Sequence, residues 1–146
     1  MDELEILNQL VNDIRTDIVT SMKQAGRFAS GNTIDKMVIV PSDHKVQLVA
    51  PGYVDILERG RGPTDPNAAA GDPTLLTRIQ AWCNDKGIDP KAAYAITKSI
   101  HKYGYKGKPG LLTDPLSQSN ISIHTQAAAK NLAALIINST LKISKP

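Results

Sequence analysis

The chain has 146 residues, of which 41% are hydrophobic, 21% charged and 4% aromatic, with a net charge of +3. That is the size of one domain, able to bury roughly 68–70% of its unfolded surface, too ordinary in composition for global disorder and too mildly charged to demand nucleic acid. A lone cysteine, Cys83, excludes an internal disulfide or a cysteine-based metal cluster, and no apolar run approaches the length of a membrane span. The acidic start MDELEILNQL lacks the basic and apolar regions of a signal peptide, so a soluble protein used without secretion is expected.

Leu4, Leu7, Val11, Ile14, Ile18 and Met22 recur at three- and four-residue spacing. They predict an amphipathic helix over about residues 2–25, with Asp2, Glu3 and Glu5 suited to the positive end of its dipole and Gly26 as its stop. Ile6, Leu10 and Val19 widen the stripe, which fits either a broad core face or a contact with a neighbouring subunit. After a small-residue linker, Phe28 to Thr33, the β-branched runs Ile34–Val40 and Val46–Ala50 predict two strands. Pro41 to Lys45 is turn chemistry of antiparallel-hairpin length. Both strand faces are partly apolar, so one side is expected to meet a helix and the other a second surface.

Tyr53 to Pro63, YVDILERGRGP, then organises the chain. A short apolar-acidic turn leads into a doubled Arg-Gly and a proline. The sequel TDPNAAAGDP, Thr64 to Pro73, has no large apolar side chain, and a mobile surface loop is expected over about residues 60–73. Thr74 can cap a helix carrying Leu75, Leu76, Ile79, Trp82 and Cys83 and closed by Gly87. Asp89-Pro90 restarts the chain as N-cap and first residue of a second helix, with the stripe Ala93, Ile96, Ile100 and Tyr103 and a stop at Gly104. The two form a helical hairpin jointed at Gly87-Ile88-Asp89. A second open stretch covers about residues 104–114. The last helix starts either at Asp114-Pro115 or near Thr125. Its apolar residues Ala128, Leu132, Leu135, Ile136, Ile137 and Leu141 go most of the way round, so burial on nearly every side is expected, in the core or between subunits.

Little of this carries catalytic chemistry. His44, His101 and His124 are scattered, without a second metal ligand three or four residues away. Cys83 lies beside Trp82 on a helix stripe, where a thiol behaves as a small hydrophobe. ERGRGP lacks the GxxxxGK[ST] frame of a phosphate loop, and the GXXG at Gly104 to Gly107 runs on into Pro109-Gly110 instead of a helix. The stronger signal is basic. Lys98, His101, Lys102, Lys106 and Lys108 cluster with Tyr103 and Tyr105, a composition that suits a solvated face, an acidic protein partner or nucleic acid. About four phosphate contacts would give a salt slope near −4 on B-DNA, a modest footprint.

The order of features resembles the neck, head–tail joining and tail-completion proteins of tailed bacteriophages. Glu58, Gly60, Arg61 and Pro63 match an acidic residue before a Gly-Arg-Pro-like exit. Pro73, Trp82, Lys86 and Gly87 match a Pro-led helix with a central tryptophan and a terminal Lys-Gly. Tyr94, Ala95, Ile96 and Gly104, then Gly107, Pro109, Leu111 and Leu112, complete the set, which spans about residues 50–116. The Ala-rich loop from Thr64 to Asp72 departs from that pattern.

The resemblance implies one α+β domain over residues 1–146: an N-terminal amphipathic helix, an antiparallel β-hairpin or small sheet, a helical hairpin and a C-terminal helix. It implies a structural virion protein without catalytic residue, cofactor, metal or membrane contact. A ring of copies, assembled in the bacterial host cytoplasm, would join the head connector to the tail tube, with passive contact to packaged DNA. The expected interface residues are Glu58, Arg59, Gly60, Arg61, Tyr105, Lys106, Leu132 and Ile136. An arginine pair at the exit suits bidentate contact with carboxylates. The alternative expectation is a small nucleic-acid-binding module using the segment from Lys98 to Lys108.

Overall fold

The computed structural model describes residues 1–26 and 32–143. The fold is α+β, with an N-terminal helix, a small antiparallel β-hairpin and several further helices, the last at the C-terminus. Helix α1 spans Glu3–Gln24 and opens on a capping box. Asp2 Oδ1 accepts the Glu5 amide at 2.8 Å, and Glu5 Oε2 accepts the Asp2 amide at 2.7 Å. Two otherwise orphaned donors are thereby satisfied. Of its broad stripe Ile6, Ile18 and Met22 are buried, while Leu4, Leu7, Leu10, Val11 and Val19 are half-buried.

The linker read at Phe28 to Thr33 falls mostly outside the described residues, but its end is helical. Helix α2, Asn32–Asp35, includes Ile34, so the first strand starts later than the β-branched run suggests. Arg15 explains that start. Its guanidinium donates to the carbonyls of Met37 (2.9 Å) and Ile34 (3.0 Å), pinning the turn between α2 and the sheet against α1. Strands β1, Val38–Ser42, and β2, Lys45–Val49, pair with Val38 opposite Val49 and Ser42 opposite Lys45. Pro41 is thus inside β1, and the turn shrinks to Asp43-His44. The face bearing Ile39, Val46 and Leu48 is half-buried toward α1, while Val38, Val40 and Val49 face outward and are exposed.

Helix α3, Val54–Arg59, replaces the turn expected at YVDILERGRGP. It places Val54 in the interior and Leu57 against the core formed by Ile18, Met22, Met37 and Leu111, which Ile14, Ala25, Leu48 and Leu112 also cover. Burying each such aliphatic side chain contributes about 1.5–3 kcal/mol. Helix α4, Leu75–Lys86, is capped by Thr74 and ends at Gly87 in a left-handed conformation (φ +69°), as its sequence predicts. Helix α5, Ala92–Tyr103, starts later than Asp89-Pro90. Those two residues form a preceding turn instead, in which the Asp89 carbonyl accepts the Ala92 amide at 2.9 Å.

Helix α4 packs against α5, and their buried residues are Cys83 on one and Ala93 and Thr97 on the other. Trp82, expected in the core, is 38% exposed. It lies at the edge of the stripe centred on Cys83, one helical step off the buried line. Helix α6, Gln118–Ile143, begins between the two starts weighed from sequence. Residues 109–116 are consecutive turns, and Ser117 Oγ accepts the Asn120 amide at 3.4 Å in the i+3 pattern of a cap.

Candidate assembly surfaces

The root of the excursion after α3 is stitched, not open. Gly60 ends α3 with φ +77° and donates its amide to Ile56. The next residue forms an isolated antiparallel bridge: Arg61 N–H to the Tyr105 carbonyl at 2.9 Å, and Tyr105 N–H to the Arg61 carbonyl at 2.8 Å. Thr64 extends it, its amide reaching the His101 carbonyl at 2.9 Å and its hydroxyl lying 2.7 Å from His101 Nδ1. The Arg61 guanidinium donates to that same hydroxyl. On the other side the Lys108 amide donates to the Leu57 carbonyl at 2.9 Å. The structure thus brings Gly60, Arg61 and Tyr105 to one crossing, although Arg61 and Tyr105 are 44 positions apart.

Glu58 braces this crossing from behind. Its Oε2 accepts the backbone amides of Leu112 and, at 2.9 Å, Thr113. Partial burial pushes its pKa up, but the amides of Leu112 and Thr113 outweigh it and leave the carboxyl below the ordinary glutamate value. The group expected to meet a neighbour is thus engaged with the chain's own turn at 112–113. Arg59 is exposed and pairs with Asp55 one turn earlier in α3, and Lys106 is exposed beside the bridge.

Leu132 and Ile136 lie elsewhere, on α6. This helix runs antiparallel to α1. Asp17 is joined to Asn120 and His124 near the start of α6, and the first turns of α1 lie beside Thr125, Ala128, Ala129 and Leu132. Counting back from the Asp17 contacts along the antiparallel pair, Glu3 comes level with about residue 136, so only about the last two turns of α6 reach beyond the start of α1. Near that level Ile136 and Ile137 are each 58% exposed, and Leu132 is 37% exposed. Ile123, in the half beside α1, is 65% exposed as well, while Leu135 is half-buried, so the chain covers this helix along one face only, which corrects the expectation of a helix buried all round in the core.

Between α1 and α6 lies an open cleft of about 240 Å³, lined by Glu3, Ile6, Leu7, Leu10, Ala128 and Leu132, among others. It is apolar with an acidic lip.

The lysines expected as a basic patch are all exposed. Lys98 and Lys102 lie on α5, with Lys102 Nζ 4.9 Å from the ring centre of Tyr103; Lys106 and Lys108 follow the bridge. Sequence reading missed the regularity of the α5 surface. Lys91, Tyr94, Lys98 and Lys102 recur at three, four and four residues, so they form one outward stripe opposite the buried Ala93 and Thr97. The same periodicity that marks a core face would have shown it, had polar positions been tracked as closely as apolar ones.

The histidines stay apart: His44 in the β-turn, His101 at the bridge and His124 on α6 with its Nε2 2.6 Å from Asp17 Oδ2. Among the described residues no group of three or more His, Cys, Asp or Glu could hold a metal ion. No helix of the described residues is long and apolar enough to cross a membrane. No protein-family model matches the chain, and neither a curated protein nor a solved structure matches it.

Proposed function

We propose that this chain is a structural subunit that associates with copies of itself, and that the resulting ring joins the head connector to the tail in a tailed-phage virion. The observation that carries the assembly reading is the far end of α6. There Ile136 and Ile137 are more than half exposed. Exposed aliphatic side chains contiguous with the half-covered Leu132 suit a partner surface more than water. The outward face of the hairpin, with Val38, Val40 and Val49, adds a second such surface. The virion setting is supported by the ordered sequence features from Glu58 to Leu112. In that setting the α4–α5 helical hairpin is a protruding arm, and Arg59, Arg61 and Lys106 stand at its root. The role needs no catalysis.

Sedimentation velocity and native mass spectrometry test it, on the chain alone and mixed with purified head-connector and tail-tube assemblies. Wild type is expected to form discrete oligomers or to bind one of those assemblies. Ile136→Asp is expected to do neither while keeping its helical circular dichroism. A wild-type chain that stays monomeric and leaves both assemblies unbound would overturn the proposal.

A further inference from the structure

We infer that the outward stripe of α5 docks on the acidic first turn of α1 in a second copy of the chain, with Tyr94 entering the cleft between α1 and α6. This rests on the assembly reading and names the two surfaces that meet. Charge is segregated along the chain. Residues 74–108 hold seven lysines and arginines against two aspartates, a net +5, whereas residues 1–73 hold seven against eleven acidic residues, a net −4. Within the basic part, Lys91, Lys98 and Lys102 line one face of α5. No carboxylate among the described residues pairs with any of the three. Within the acidic part, Asp2, Glu3 and Glu5 are all exposed at one helix end; Asp2 and Glu5 are engaged in the capping box and Glu5 lies 3.7 Å from the N-terminal ammonium, so Glu3 is the carboxylate presented at the lip of the cleft.

The two surfaces also match in their apolar parts. Tyr94, 66% exposed, stands in the middle of the lysine stripe, and tyrosine is among the side chains that most often anchor an interface, with the charged residues around it left to the solvated rim. The cleft offers apolar walls from Ile6, Leu7, Leu10, Ala128 and Leu132 behind the lip formed by Glu3. At about 240 Å³ it is smaller than most small-molecule pockets and suits a single side chain.

Within one chain α5 packs mainly on α4, whereas α1 packs on α6 and the hairpin. The stripe therefore meets the cleft of another copy. Two different patches joined head to tail make a heterologous contact, the kind that repeats around a closed ring. Nucleic acid would use the lysines equally well, but it would leave the acidic lip and its cleft without a partner.

The test uses charge reversal with rescue. Lys91→Glu/Lys98→Glu/Lys102→Glu and Glu3→Lys, which leaves the Asp2–Glu5 capping box intact, are each made in the full chain, with circular dichroism as the folding control, and Tyr94→Ala serves as a variant that leaves charge unchanged. Each is expected to weaken self-association by about tenfold or more at low salt, and wild-type association is expected to fall as salt rises. Mixing the two reversed variants should restore association to within about threefold of wild type, because each supplies the surface the other lost.

Reversed variants that associate like wild type, while Ile136→Asp dissociates, would overturn the docking and leave the assembly reading standing. Reversed variants that dissociate but are not rescued by mixing would overturn the pairing of these two surfaces. Intact self-association with loss of duplex-DNA binding in the lysine variant would instead assign the stripe to nucleic acid. A wild-type chain that never self-associates would remove this inference; removing the assembly reading as well requires that it also leave the connector and tail assemblies unbound.

Discussion

Gly60 and Gly104 each precede one partner of the bridge, each with a left-handed backbone (φ +77° and +81°) and each so close to the opposite segment that a Cβ would overlap its main chain. At Gly104 the obstacle is the Arg61 carbonyl and Gly62. Backbone cannot swing aside as a side-chain tip can. Gly104→Ala should therefore cost at least about 1–3 kcal/mol from the conformation alone, read as a lowered midpoint in urea unfolding, with further loss from the overlap. An unchanged midpoint would mean that the crossing is not held in solution. Asp17 gives a second residue-scale prediction. Hydrogen bonds from Asn120 (2.7 Å) and His124 (2.6 Å) outweigh desolvation and hold its pKa below the ordinary value of 3.8. A depressed folded-state pKa stabilises above that value, and the contribution is lost as pH falls through the folded pKa. The melting-temperature gap between wild type and Asp17→Asn should stay level at mildly acidic pH and close as pH drops below about 3.8. A gap unchanged across that range would show that the α1–α6 latch does not depend on the charge.

Helix signals in this chain are local, and those were legible. The acidic first turn of α1, Thr74 before α4 and the terminal glycines Gly87 and Gly104 are visible in sequence because caps depend on residues within one turn. What failed depends on distant partners. Ile34 has strand propensity, yet Arg15 fixes its carbonyl from 19 positions away and leaves it in α2. The segment from Val54 to Arg59 reads as a turn because its helix is six residues long, shorter than a helical pattern needs to declare itself. Trp82 shows the same limit at a helix edge, where spacing alone cannot say which side of the stripe is covered. At 38% exposure its truncation should cost well under the about 3–5 kcal/mol of a fully buried tryptophan. Thermal melts of Trp82→Ala measure this; a loss in the full range would mean that the ring is enclosed in the assembled state.

At the scale of the molecule, two packing units share one chain. The first is α1, the hairpin, α3 and the turns before α6, around Met22, Met37 and Leu111. The second is the α4–α5 pair around Cys83, Ala93 and Thr97. Of the expected interface residues, the sequence grouped Glu58 to Arg61 by adjacency, but it could not show that Tyr105 returns to them or that Glu58 is taken by 112–113. Exposed residues on α6 were legible as surplus apolar character, and which of them stay uncovered became readable only once the face packed on α1 was known.

The bridge between Arg61 and Tyr105 has a consequence for how such a molecule can vary. Residues 62–104 leave and return through the same point, like a bead hung from a knotted thread. Closing such a loop grows costlier only with the logarithm of its length, so doubling it would add only about 0.6 kcal/mol. Its length and sequence can thus change with little penalty to the body that anchors it. The knot, held by glycines that admit no larger residue, makes everything beyond it an exchangeable cartridge.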